Sequence, residues 1–354
     1  MININLIGYY DHLENYKKVE DIAWHKLRDA IDASGIRTMQ VTSRVKSAES
    51  VMGKLRRKPD HYSTILDMTD VVGMRVVCFF ADKIDAIGDI LKELFVVDEE
   101  NSIDRRNVIA ANTFGYMSLH NICSLRKSDE YDDELTNYRF EVQIRTVLQH
   151  TWAEIEHDLG YKTEFGVPRH IRREFSRMAS LLEVADEGFM RIKNDLKDYT
   201  DSVISTLESG DVENITIDAI SIGEFIKYNA AFNEFTKSIA AISGAELITV
   251  SAEQYINQLE FINVHTLKDI LVLLEKQRDH AMLLAKNVLE NSEIDELAST
   301  VGLYFLCRAH LIWGDYNEIE LTKYFDTETQ DSRKIARNVT RILSQRERYV
   351  GKDK

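Results

Sequence analysis

The hydrophobic pattern changes period between Glu141 and Lys162. Phe140, Val142 and Ile144 are apolar and alternate with Glu141, Gln143 and Arg145, the period of a half-buried strand. Val147, Leu148, Trp152, Ile155 and Leu159 then follow at steps of three and four, the spacing of a helix. The spacing therefore predicts a strand that presents a carboxylate, an amide and a guanidinium on one face and runs into a helix. Such a face suits a site for a metal and a phosphate. On spacing alone, a solvated strand face with an ordinary ion pair accounts for it equally well.

Upstream, residues 12–33 form an amphipathic helical pattern ending at Gly35, and Ile36–Thr42 is short, branched and extended in character. Ser47 is the expected N-cap of a helix with Glu49 in its first turn. Asp67–Phe80 predicts a strand whose apolar run implies burial on both faces. Asp82–Phe95 predicts a helix capped by Asp82, with Ile84, Ile87, Leu91 and Leu94 inward. Val96 and Val97 fit a strand, and Glu99–Phe114 a loop carrying Arg105 and Arg106. A strand beginning at Gly115 and another over Tyr138–Arg145 complete the mixed part.

Beyond Pro168 the pattern is helical throughout. One long helix is expected over 170–200. Further helices are expected over Ile215–Ile242, Ala252–Leu259, His265–Leu289, Ile294–Gly314, Asn317–Phe325 and Thr327–Arg346. No fixed-period repeat is visible. The expected class is α+β: a mixed β-sheet flanked by helices over residues 1–200, then an all-α domain over 201–354.

At 354 residues one or two domains and a sizeable core are expected. Two prolines argue for long uninterrupted elements. The formal net charge of −15 argues against a broad nucleic-acid surface but allows a local basic pocket. Cys78, Cys123 and Cys307 are far apart and form no CxxC pair, which points to three reduced core thiols. The N-terminus has no secretory pattern and no run of about 18 apolar residues occurs, so a soluble, cytoplasmic chain without membrane contact is expected.

Several residues are candidates for chemistry. Arg44 and Lys46 precede the helix that carries Ser50 and Lys54 on one face, an arrangement that would surround a polyphosphate. A solvated basic face is the commoner origin of such a cluster. Asp70 is a candidate ligand for a hard cation. Arg75, a charge in an apolar run, must reach a partner. It is five positions from Asp70, so the two face opposite ways on a straight strand. A shared site requires Asp70 at the strand end or a bulge at Gly73. Tyr116, beside Gly115, could stack a purine base, and His120 on the same face could meet a phosphate, but an ordinary exposed strand tyrosine is the commoner origin of such a pattern.

In this order, RVKSAESVMGKL, DVVGMRVVCFF, GYMSLH and EVQIRT…HTWAEIEHDLGYK resemble the synthetase domain of the RelA/SpoT family of alarmone synthetases over roughly residues 40–165. The resemblance implies a nucleotidyltransferase-like fold. It also implies transfer of the β,γ-pyrophosphate of ATP to the ribose 3′-hydroxyl of GDP or GTP, giving ppGpp or pppGpp and AMP. By motif, Asp70 and Glu141 would hold Mg²⁺, and Glu141 would help take the hydroxyl proton. Arg44 and Arg75 would sandwich the adenine, Lys46 and Lys54 would engage the phosphates with Ser50 nearby, and Tyr116 would stack the acceptor base. His120, Gln143 and Arg145 would line the acceptor's ribose and phosphates.

The segment before Tyr116 reads IAANTFGY, where the family usually carries a lysine and an asparagine. This departure leaves acceptor identity open. The resemblance implies a small, synthesis-only enzyme, or a toxin-like relative acting on adenosine nucleotides or the tRNA 3′ end. A tRNA acceptor needs a positive surface, for which Arg169, Arg172, Arg173 and Arg177 are the local candidates. A catalytically silent nucleotide-binding scaffold is the reading from another class, and the retained Asp70 and Glu141 argue against it. Acidity and long helices are compatible with a homo-oligomer.

Overall fold

The computed structural model describes residues 2–57, 62–104, 106, 118–160 and 168–351. The chain divides into two compact units, Met1–Asn194 and Asp195–Lys354.

The first unit is built on a five-stranded sheet of order β1-β2-β5-β4-β3, with β1 Thr38–Val45, β2 Val72–Cys78, β3 Phe95–Asp104, β4 Leu119–Leu125 and β5 Arg139–Thr146. Only β2 and β5 pair in parallel; β1–β2, β5–β4 and β4–β3 are antiparallel. Helices α1 (Ile2–Ala33) and α3 (Asp82–Leu94) pack with one face of this mixed sheet. On α1, Tyr16, Val19, Ala23, Leu27 and Ile31 recur at steps of three and four and are all buried. They meet Met74, Val76, Phe140, Val142 and Ile144, the alternate residues of β2 and β5. Truncating Leu27 or Phe140 to alanine in such a core costs roughly 2–5 kcal/mol. The opposite face of β2 and β5 carries Gly73, Arg75, Glu141, Gln143 and Arg145.

The apolar run of β2 thus divides between a core face and a polar face, against the expected burial on both. Asp67 lies before the strand and closes a short 3₁₀ turn by accepting the Ser63 and Thr64 amides at 2.8 Å. Ala81, not Asp82, occupies the cap position of α3. Asp82 is the first helical residue, and its carboxylate pairs with Lys193 at 2.6 Å. The loop expected from Glu99 is strand as far as Asp104, because the antiparallel ladder to β4 resumes at Ile103 after an irregularity.

Helix α2 (Ala48–Arg57) follows β1, and Ser47 caps it as expected, its Oγ accepting the Ser50 amide at 3.3 Å. Helix α4 (Val147–Gly160) continues directly from β5, and α5 (Arg169–Ser209) is one long helix containing the boundary between the units.

In the second unit, the helix expected over Ile215–Ile242 is two: α6 (Ala219–Tyr228) and α7 (Ala230–Ser243). Asn229 is extended, and its side chain caps α7 through the Phe232 amide at 3.0 Å. Then come α8 (Ile256–Phe261), α9 (Leu267–Leu289), α10 (Val301–Trp313), α11 (Glu318–Asp326) and α12 (Ser332–Tyr349). A three-residue parallel pair, β6 (Glu246–Ile248) with β7 (Glu296–Ala298), is the strand structure among these described residues. Cys78, Cys123 and Cys307 are buried and free, and burial pushes each thiol up to about 12. No described helix is long and apolar enough to cross a membrane.

Candidate nucleotide site

The polar side of the sheet is set by register. Arg44 on β1 stands opposite Gly73 on β2, and Gly73 opposite Glu141 on β5. One step along, Thr42 stands opposite Arg75, Arg75 opposite Gln143, and Gln143 opposite His120 on β4. Facing residues on adjacent strands share a side of the sheet, so these side chains converge. Arg44, Lys46, Asp70, Arg75, Glu141 and Gln143 line one cleft, and a β-carbon added to Gly73 would meet nothing within 4 Å.

Asp70 lies in the turn just before β2, and β2 keeps an unbroken register with β5 through Gly73. Of the two solutions the sequence leaves open, the strand-end position is the one found. Lys46, just past β1, donates to Val71 O at 2.8 Å through its amide and to Asp70 Oδ2 through its ammonium. Lys54 on α2 reaches Asp70 Oδ1 at 2.6 Å. Burial alone would raise the Asp70 carboxyl, but the two ammonium groups outweigh it and hold the acid below its ordinary range. Burial would lower Lys54; Asp70, with Tyr62 beside it, more than offsets this and raises it.

Glu141 belongs to a hydrogen-bonded row. His120 Nδ1 lies 2.8 Å from Glu141 Oε1, Gln143 Nε2 donates to Glu141 Oε2 at 2.8 Å, and Arg145 donates to Gln143 Oε1. Burial raises the Glu141 carboxyl, yet the contacts with His120 and Gln143 prevail and lower it, against a smaller upward push from Asp70. Both acids are therefore ionised at neutral pH, and Glu141 senses the field of Asp70. Two hard oxygen donors on one cleft fit a divalent ion such as Mg²⁺ that keeps waters and takes substrate oxygens. No group of three or more His, Cys, Asp or Glu side chains suited to a metal occurs among the described residues.

Arg75 finds the partner its burial requires in Glu154 of α4, at 2.8 Å. His150, one turn before Glu154, meets Gln40 at 3.0 Å. Burial, with Arg75 and Arg145 nearby, lowers the His150 imidazole and keeps it neutral. Neither Glu154 nor His150 was expected at the site. Their i, i+4 spacing on a helix leaving a polar strand was the available signal.

The structure thus brings together Arg44, Lys46, Lys54, Asp70, Arg75, Glu141 and Gln143, with His120 and Arg145 joined to Glu141 through the row. Arg145 is 3 % exposed and reaches the cleft through Gln143. Ser50 is exposed on α2, and its Oγ lies 3.0 Å from Ser47 Oγ. Tyr116 lies outside the described residues.

Residues 43–165 match the family model described as a region found in RelA / SpoT proteins. The chain is 30% identical over 159 residues to the GTP pyrophosphokinase YjbM of Bacillus subtilis (strain 168), a match covering 45% of this chain and 73% of that protein. It is 32% identical over 164 residues to the GTP pyrophosphokinase YwaC of the same organism, covering 44% and 73%. Among solved structures, the small alarmone synthetase 1 from Bacillus subtilis aligns with a TM-score of 0.46 at 25% identity, over 54% of this chain and 98% of that one. With two relatives at this identity matched over most of their length, the chain belongs to the RelA/SpoT family.

Proposed function

We propose that this protein transfers the β,γ-pyrophosphate of ATP to the ribose 3′-hydroxyl of GDP or GTP, forming ppGpp or pppGpp and releasing AMP. The observation that carries this reading is the shared cleft of Asp70 and Glu141 with Arg44, Lys46 and Arg75 around it. Its relatives' names, GTP pyrophosphokinase, support the reaction class.

Pyrophosphoryl transfer asks mainly for positioning and charge neutralisation. The hydroxyl oxygen bonds to the β-phosphorus, the bond from that phosphorus to the α,β-bridging oxygen breaks, and AMP leaves with the electron pair. Arg44 and Arg75, on neighbouring strands with only Gly73 between Arg44 and Glu141, would hold the adenine between their guanidinium planes. Lys46 and Lys54 turn from Asp70 to the phosphates. Asp70 and Glu141 would hold Mg²⁺, which supplies charge neutralisation of the triphosphate when bound. Glu141, fixed between His120 and Gln143, would help take the hydroxyl proton, although its lowered pKa makes it a better ion ligand than base.

The test incubates the full chain with γ-labelled ATP and, separately, GDP, GTP, ATP and tRNA as acceptors, with Glu141→Gln as the control. Label on GDP or GTP, absent with the variant, is expected. Label only on ATP or tRNA overturns the guanosine acceptor, and label on none of the four overturns the transferase reading.

A further inference from the structure

The family match begins at residue 43, so helix α1 lies outside it. Tyr9 extends the buried stripe of α1 toward the N-terminus, seven positions before Tyr16. A phenylalanine would fill that place in the core as well. The hydroxyl does what a ring alone does not. It donates to the backbone carbonyl of Lys46 at 2.7 Å.

Lys46 lies in the short link between β1 and α2, which belongs to neither the strand ladder nor the helix. Its backbone groups must therefore find partners elsewhere. The amide donates to Val71 O at 2.8 Å, and Val71 directly follows Asp70. The carbonyl accepts from Tyr9. The ammonium reaches Asp70 Oδ2. The cation of the cleft is thus fixed to the turn that carries the acid and, independently, to a helix outside the sheet.

A lysine stem is long and flexible, so the reach of its ammonium is set by where the backbone is held. With the Val71 bond alone the link can pivot about one contact; the Tyr9 bond is the second point that stops it. Burial, with Tyr10 beside it, raises the Tyr9 phenol above its ordinary value, so the group keeps the proton it donates through the neutral range.

We propose that Tyr9 is a positioning residue of the donor site, whose hydroxyl fixes the Lys46 backbone so that one ammonium can serve both Asp70 and the phosphates of ATP. The proposal rests on the reading of Lys46 as a phosphate ligand in the transfer reaction and deepens it.

The test titrates the full chain with the α,β-methylene analogue of ATP and Mg²⁺ in a calorimeter. The bond broken in the transfer cannot break in this analogue, so the readout is affinity and needs no turnover. Tyr9→Phe keeps the ring and removes the hydroxyl. It weakens binding about three- to tenfold, the span of one neutral hydrogen bond. Tyr10→Phe removes an exposed phenol whose ring meets Tyr9 edge-on, and leaves affinity within about twofold of wild type. Lys46→Ala weakens binding at least about tenfold. On that background Tyr9→Phe changes nothing further, because the side chain it positions is gone. A merely structural hydroxyl would weaken both backgrounds alike.

Unchanged affinity of Tyr9→Phe, an equal loss with Tyr10→Phe, or an equal further loss on the Lys46→Ala background overturns the proposal and leaves the transfer reaction standing. Absence of analogue binding by the wild-type chain, or unchanged affinity of Lys46→Ala, overturns the reading of the donor site and this proposal with it.

Discussion

Gly73 stands directly across the parallel ladder from Glu141, and open space lies where its side chain would be. The floor between Arg44 and Glu141 is bare because this residue has no β-carbon. Gly73→Val adds a β-branched residue to a strand, which that backbone tolerates, but fills the floor. Stability within about 1 kcal/mol of wild type is expected, with at least a tenfold loss of ATP affinity, about 1.4 kcal/mol. Calorimetric melting and ATP titration check the two halves separately.

Asp70→Asn and Glu141→Gln keep size and most hydrogen-bonding capacity but remove the charge. Each is expected to lower pyrophosphate transfer on the order of 10³-fold while the fold persists. Asp70→Asn also leaves Lys46 and Lys54 facing each other without their common anion, so it is the less stable of the two. Full activity in either variant would remove that acid from the site.

Arg75→Ala deletes a proposed adenine platform, whereas Glu154→Ala deletes only the anchor that orients it. The first is expected to raise the KM for ATP at least tenfold, and the second only a few-fold. Because Glu154 is half exposed, its loss costs no more than about 0.5 kcal/mol of stability. Steady-state kinetics with ATP as the varied substrate separates the two roles.

The lowered carboxyls of Asp70 and Glu141 fix the sign of one pH effect. An acid with a folded pKa below its unfolded value stabilises the fold above the unfolded value, near 3.9 for Asp and 4.3 for Glu, and this is lost as pH falls through the folded value. Wild type is therefore expected to lose stability below about pH 4 more steeply than Asp70→Asn. Urea unfolding at stepped pH measures the difference; parallel curves would count against the ion pairs.

The change from alternating to helical period at Thr146 was legible because Glu141, Gln143 and Arg145 have a face that Val147, Trp152 and Ile155 do not continue. The position of Asp70 was not, since a strand end and a bulge at Gly73 both satisfy a five-residue separation. The spacing of His150 and Glu154 marked a polar helix face, but the pairing of Glu154 with Arg75 depends on the parallel register of β2 and β5, which no local pattern encodes. The break at Asn229 was masked by apolar residues that keep helical spacing on both sides, while the capping side chain decides the backbone. Asp82 resembled a cap because acids are favourable throughout a helix's first turn.

Lys46 and Lys54 already neutralise Asp70 before any ligand arrives. An incoming triphosphate offers the two ammonium groups a richer anion, and their departure uncovers a carboxylate for a divalent ion. Loading of the cleft is then an exchange of partners at nearly constant local charge. On this account donor and ion assist one another, and a cation arriving without its nucleotide must compete with two tethered lysines.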